Sequence, residues 1–214
     1  MTTLVTGGMG FIGSNFVLAH LNRYPSDEIV IVDNMSYAAS RSMRQTFEND
    51  WRVKLIVSDI RDMSSMEKAF LSYSPDIVFH FAAESHVDNS IRDDGNFVST
   101  NINGTHNILK CIRKYGGRLI HVSTDEVYGS LDETSPSSTE SSAYAPRNPY
   151  AATKAAADHL VMSYRNTYGL DAAVTNCGNN YGPRQHGEKY IPTIIRNALS
   201  DCRIPLYGNG SPIS

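Results

Sequence analysis

Gly7, Gly10 and Gly13 are spaced three apart, directly after the short β-branched run Thr2–Thr6 and directly before an amphipathic stretch. A chain that turns from strand to helix through such glycines must bring its backbone close to itself or to a ligand. Tight strand–helix turns use glycine anyway, so the spacing alone does not choose between those uses. The rest of the chain narrows the choice. A helix reads from about Phe11 to Asn22, with Phe11, Ile12, Val17, Leu18 and Leu21 on its inner face. Apolar runs at Glu28–Val32, Val53–Val57, Asp76–Phe79 with Phe81, Arg118–Val122 and Asp171–Thr175 then alternate with helical stretches. Ser64–Ser72 starts as a capping box with Glu67 three residues after its Ser cap. Long helices are expected over Asp94–Tyr115 and Tyr150–Tyr168, each stopped by glycine, and Asn34–Trp51 reads as a loop with a short helix. This alternation is that of an α/β doubly wound parallel sheet.

The pattern holds over residues 1–176. From 177 to 214 the chain changes character, with a turn at Asn179–Pro183, a short helix over Tyr190–Leu199 and turn formers to the end. That stretch is read as the start of a small second lobe, cut short. A charged content of 19% with 41% hydrophobic residues supports a packed core. A net charge of −3 with no basic stripe argues against nucleic acid as a partner. No signal peptide and no apolar run of membrane-spanning length is present. Cys111, Cys177 and Cys202 are odd in number and lack metal-ligand spacing, so reduced thiols in a cytoplasmic protein, with no metal, are expected.

Asp33 ends the second strand 20 residues after Gly13, the position from which an acid accepts from both ribose hydroxyls of a dinucleotide. A carboxylate there repels a 2′-phosphate, which favours NAD over NADP; its structural alternative is a turn acid. Asp59 has two readings, a contact to adenine or a helix cap. Ser123-Thr124-Asp125-Glu126-Val127-Tyr128-Gly129 places a hydroxyl and two carboxylates past the end of the fifth strand. Open α/β sheets hold their ligands at that edge. Asp125 and Glu126 share a site only if the backbone bends there, since neighbours on a strand point to opposite sides. Tyr150 and Lys154 stand one turn apart on a helix. An ammonium close to a phenol lowers its pKa, so Lys154, aided by a nicotinamide cation, is expected to bring Tyr150 into reach as a base.

With its Thr-Gly-x-x-Gly-x-x-Gly loop and Tyr-x-x-x-Lys pair, the chain resembles the extended short-chain dehydrogenase/reductase family. Within it, Ser123–Gly129, His80–Ile91, Thr100–Thr105, Asn179–Pro183 and Glu188–Pro192 resemble the nucleotide-sugar 4,6-dehydratases, and the Thr-Asp-Glu triplet discriminates most. The resemblance implies NAD as cofactor and a nucleotide-activated hexose as substrate, with thymidine against uridine left open. It implies that Tyr150 takes the C4 hydroxyl proton, Glu126 the C5 proton, and that Asp125 protonates the leaving C6 hydroxyl, for which Asp125 needs a raised pKa. Thr124 would orient the sugar. Phe11, Ile12, Asn34, Ser36, Ile60, Phe81, Ala82, Ala83, Ser85, Thr100 and Asn180 would join the glycines and Asp33 around the cofactor. Ser85, Asn179, Lys189, Tyr190, Pro205, Leu206 and Tyr207 would meet the substrate, and the two long helices would form a homodimer interface. Asn89 stands where the family usually has Arg, and Gly178 where it often has Ser. A 4-epimerase or decarboxylase with the same Tyr/Lys pair, a non-catalytic NAD(H)-binding regulator and an inactive fragment are the alternatives.

Overall fold

The computed structural model describes residues 1–132 and 134–205. Six strands, β1 (Thr2–Thr6), β2 (Glu28–Asp33), β3 (Val53–Val57), β4 (Ile77–His80), β5 (Arg118–Thr124) and β6 (Ala172–Cys177), form one sheet ordered β3-β2-β1-β4-β5-β6. Every pairing is parallel. The order reverses at β1, whose Thr6 lies opposite Val32 on one side and His80 on the other. Crossovers leave this point to opposite faces, and a crevice opens beyond the strand ends there.

Strand alternation divides the apolar residues between two cores. Val5, Ile29 and Ile31 pack with Val17, Leu21, Met43 and Phe47 from helices α1 (Phe11–Arg23) and α2 (Arg41–Glu48). Leu4, Val32, Val78 and Leu119 pack on the other face with Met66 and Phe70 of α3 (Met63–Tyr73). Val161 of a long helix over Pro149–Tyr168 and Ile108, Leu109 and Ile112 of another over Thr105–Tyr115 complete that core. Both faces are covered, as parallel sheets require.

Three expectations need correcting. The N-cap of α3 is Asp62, not Ser64: its carboxylate accepts from the amides of Ser64 and Ser65 at 3.0 and 3.2 Å and from Ser65 Oγ at 2.7 Å. Glu67 pairs with Lys114 at 2.9 Å instead of closing a capping box. A carboxylate offers more acceptor sites than a hydroxyl and suits the positive helix end.

On the inner face of α1, Ile12 is 37% exposed, while His20, Gly13 and Ser14 are buried. The expected helix Asp94–Tyr115 is also not uniform. After α4 (Val87–Arg92) come α5 (Gly95–Phe97), a wide π segment Val98–Gly104 and α6 (Thr105–Tyr115). The wide turn carries Asn101 to the loop after β4, a use typical of such turns. The last two helices are α7 (Pro149–Tyr168) and α8 (Tyr190–Leu199). Among the described residues no helix is long and apolar enough to cross a membrane.

Asp62→Ala should lower unfolding stability, because three donors at the start of α3 lose their acceptor. Ser64→Ala should change it by less, and denaturant titration of both variants separates the two caps.

Candidate active site

Beyond the ends of β1, β2, β4 and β5 lies a cavity of about 330 Å³. At its floor Gly7, with φ +70°, lies so close to the next loop that a Cβ would sit 2.6 Å from the amide nitrogen of Ala82. A Cβ at Gly13 would run into the Gly7 carbonyl. Gly10 begins α1 without a side-chain cap, so the first amides of the helix are open to the cavity that Phe11, Ile12 and Gly13 line. A helix start of this kind favours an anion. Asp33 ends β2 with both carboxylate oxygens on backbone, accepting from Met9 at 2.9 Å and Met35 at 2.8 Å. Burial pushes its carboxyl up, against the pull of those two amides. Asn34 Nδ2 donates to Asp59 at 3.1 Å, and Arg61 pairs with Asp59 at 2.8 Å. Burial acts upward on the Asp59 carboxyl, yet Arg61 and Asn34 outweigh it and bring it down to about 2.

At the other end, β5 runs to Thr124 and the chain then bends into a 3-10 turn over Asp125–Tyr128. Thr124 Oγ1 caps that turn, accepting from the Glu126 amide at 3.2 Å. The bend separates the two acids. Glu126 lines the cavity, and its carboxylate accepts from Asn148 Nδ2 at 3.0 Å. Asp125 is exposed at the rim, where it would be 3.4 Å from a Cβ on the cavity-lining Gly178.

Asn148 also caps α7 by accepting from the Ala151 amide at 2.7 Å, so one side chain fixes Glu126 and the start of the helix bearing Tyr150. Tyr150 is not drawn down as expected. Burial and then the charge of Glu126 push its phenol up, against a bond with Thr124. Lys154 donates instead to the Val122 carbonyl at 2.8 Å, and burial lowers it to about 8 against the attraction of Asp158.

Gly7, Gly10, Phe11, Ile12, Gly13, Asp33, Asn34, Ser36, Asp59, Ile60, Phe81, Ala82, Ala83, Ser85, Thr100, Thr124, Glu126, Tyr150, Lys154, Asn179, Asn180 and Lys189 all line this one cavity. Lys189 reaches the Ser85 carbonyl at 3.4 Å. Tyr190 is 55% exposed and, like Pro205 and Asp125, is not on the wall; Leu206 and Tyr207 lie outside the described residues.

Sequence reasoning missed Asn101, whose amide accepts from Glu84 N at 2.9 Å and donates to Glu84 O at 3.0 Å and to Thr153 Oγ1 at 3.0 Å. That side chain ties the loop after β4 to α7. An asparagine inside a helical pattern carries no signal for such a tie. Cys177 and Gly178 also face the cavity.

Behind Lys154 lies a buried polar layer. Asp158 accepts from Ser123 Oγ at 2.8 Å, Tyr144 OH at 3.0 Å and Asn176 Nδ2 at 3.3 Å, and His121 Nε2 lies 3.2 Å from its second oxygen. His80 is held between Thr6 Oγ1 at 2.7 Å and Thr105 Oγ1 at 2.9 Å. Burial first, then the neighbouring Lys154, lowers His121 to about 4, against the pull of Asp158.

A six-stranded parallel sheet with this glycine turn, an acid ending β2 and a Tyr/Lys pair on α7 defines a Rossmann-like domain carrying acid–base groups. The family model described as GDP-mannose 4,6 dehydratase matches residues 4–213, and the chain belongs to that family. It is 44% identical to a dTDP-glucose 4,6-dehydratase of Haemophilus influenzae over 100% of this chain and 66% of that protein. It is 45% identical to one of Mycobacterium tuberculosis, again over 100% of this chain but 63% of the relative. The chain thus spans just under two thirds of these relatives. A crystal structure of dTDP-glucose 4,6-dehydratase from Streptomyces venezuelae with NAD superposes with a TM-score of 0.92 at 47% identity, covering 99% of this chain and 66% of that one. A UDP-glucose 4-epimerase from Thermotoga maritima matches at 29% identity and TM-score 0.89, covering 98% of this chain and 67% of that one.

His121 gives this site a pH signature. Its folded pKa of about 4 lies below the unfolded value of 6.5, so it adds nothing to the pH dependence above 6.5. As pH falls below that, the unfolded chain takes the proton first, and stability drains away down to about pH 4. The loss should be on the order of 3 kcal/mol. His121→Gln should flatten the fall in stability measured by denaturant titration between neutral and acid pH.

Proposed function

We propose that this chain carries the cofactor and catalytic half of an NAD-dependent dehydratase acting on a nucleotide-activated hexose, with dTDP-glucose the substrate favoured. The observation that carries the reading is the convergence of Glu126, Thr124, Tyr150 and Lys154 on the same cavity as Asp33 and the glycine turn. The residues present fit NAD. The space a Cβ would fill at Gly7 and Gly13 is closed by backbone, the first turn of α1 is open for a pyrophosphate, and Asp33 stands where a ribose would reach it. When bound, NAD supplies the oxidant at C4 of the sugar and the reductant at C6.

The chain's own groups move the protons. Tyr150 takes the proton of the C4 hydroxyl, with Thr124 bonded beside it to orient that oxygen. A C4 ketone acidifies the neighbouring C5–H, and Glu126, held by Asn148, removes that proton. Asp125 protonates the departing C6 hydroxyl, so that water leaves, and C5 regains a proton when C6 is reduced. The net reaction is loss of one water to give a 4-keto-6-deoxy sugar nucleotide. Residues 177–214 begin the lobe for the nucleotide, with Asn179 and Lys189 toward the substrate and Asn180 toward the cofactor. The same reading makes the protein a cytoplasmic homodimer. Exposed apolar residues on the two long helical stretches, Val98 in the π segment and Met162 on α7, support such a contact.

Incubating the purified protein with NAD and dTDP-glucose should yield the 4-keto-6-deoxy product, identified by mass and by its ketone. Recovery of a C4-inverted sugar instead would point to the epimerase reading, and cofactor binding without turnover of any sugar nucleotide to the regulator. Tyr150→Phe should slow turnover by about 100-fold or more. Glu126→Gln should allow oxidation at C4 but stop loss of water. Asp33→Asn should weaken NAD binding by roughly tenfold to a hundredfold, as expected for hydrogen bonds to a charged acceptor; calorimetric titration measures it.

A further inference from the structure

Lys154 is 4% exposed, and its ammonium donates to one backbone carbonyl, that of Val122 at 2.8 Å. Among the described residues it has no ion-pair partner within contact distance. Burying an ammonium with so little compensation favours the neutral amine. One turn along the same helix stands Asp158, itself 1% exposed. Its carboxylate is kept ionised by three donors on one oxygen, Ser123 from β5, Tyr144 from the loop before α7 and Asn176 from β6, with His121 3.2 Å from the other oxygen. Burial alone would push this acid up, yet the adjacent His121, the bond from Ser123 and the charge of Lys154 hold it low. Three elements therefore stabilise one anion beneath the lysine.

We propose that Asp158 is a positioning residue that keeps Lys154 charged at working pH, acting through the field it sets up behind the Tyr150–Lys154 pair rather than by touching substrate or cofactor. The proposal rests on the reading of Tyr150 and Lys154 as the redox pair, and it extends that pair to a series Tyr150, Lys154, Asp158 along one face of α7. Apart from Cys177, the other titratable groups that face Lys154 oppose the charge or leave it unchanged. His121 on β5 and His80 on β4 are both neutral in this environment, since burial and Lys154 itself lower them. Cys177 on β6 would help only as a thiolate. Asp158 is the permanent anion of the set.

The test does not need turnover, so it separates this proposal from the assigned activity. Protein labelled with carbon-13 at lysine Cε is titrated by NMR, and the Lys154 signal is identified by its loss in Lys154→Met. In the parent protein Lys154 should titrate near pH 8. Asp158→Asn, which keeps the shape and most donors' partner but removes the charge, should move that titration down by about one pH unit or more. Asp158→Glu should restore it. An Asp158→Asn protein that is folded and titrates with the parent overturns the proposal. If Asp158→Asn does not fold, the double variant Lys154→Met/Asp158→Asn decides. Recovery of folding when the ammonium is also removed supports the field, and a double variant as unfolded as the single one shows Asp158 to be a structural hub only. A shifted titration in a protein that dehydrates no sugar nucleotide leaves this proposal standing and removes the activity.

Discussion

The close approach of Gly7 to the loop after β4 is the constraint on which the site depends. Strands β1 and β4 are neighbours, and the chains leaving them must part at once, one into α1 and the other toward α4. With a Cβ at Gly7 only 2.6 Å from Ala82 N, no side chain fits between them, so the two loops meet through bare backbone. Asp33 then fixes the third loop to the first through the Met9 amide. Asn101 fixes the loop after β4 to α7 through Glu84 and Thr153. Each contact is a modest energy, about 1 kcal/mol net for an ordinary hydrogen bond. Their combined effect is geometric: they hold the open end of α1, Asp33 and the helix bearing Tyr150 and Lys154 around one space.

The far end of that space is built on buried charge. Lys154 and Asp158 on α7 and the neutral His121 on β5 all lie below 5% exposure. Removing one partner from such a group leaves a charge without compensation, which costs several kcal/mol. The layer therefore holds only because β5, β6, α7 and the Tyr144 loop each contribute a donor or an acceptor. Bonds from Ser123, Tyr144 and Asn176 converge on one Asp158 oxygen and fix that side chain, while His121 stands 3.2 Å from the other oxygen. That rigidity is what a phenol and an acid must have if they are to act on neighbouring carbons of one sugar.

The fold was legible because its signals are local and periodic. Strands β1 to β6 alternate with helices at the places the apolar runs mark, and the glycines between β1 and α1 bear on a backbone approach that no other residue permits. The corrections come where two signals competed. Ser64 has the form of a cap, but Asp62 lies two residues earlier with a better acceptor. Asn101 and Asn148 are invisible as site residues, because what they hold, Glu84 and Glu126, lies 17 and 22 residues away in sequence and meets them only in the fold. The expected fall in the Tyr150 pKa failed for a related reason. Helical spacing puts Lys154 on the same face, but it cannot show that the side chain runs inward to Val122, or that Glu126 faces the phenol. Tyr190 opens α8 at the surface, and only its distance from the wall, not its type, separates it from Lys189.

The bend after Thr124 decides whether two consecutive acids can divide one reaction between them. On a straight strand Asp125 and Glu126 would lie on opposite faces of the sheet, one of them in the core. The 3-10 turn brings both to the cavity end but into unlike surroundings, Glu126 on the wall against Asn148 and Asp125 at the rim beside Gly178. Acid–base chemistry needs that unlikeness, since one carboxyl must hold a proton while the other takes one. In the proposed reaction Glu126 is the better placed of the two to act as base, because Asn148 fixes its direction and the same asparagine starts the helix of Tyr150. Asp125 is exposed at the rim. In the proposed reaction a sugar would cover it, and Gly178, with no side chain to intervene, leaves the approach to it open.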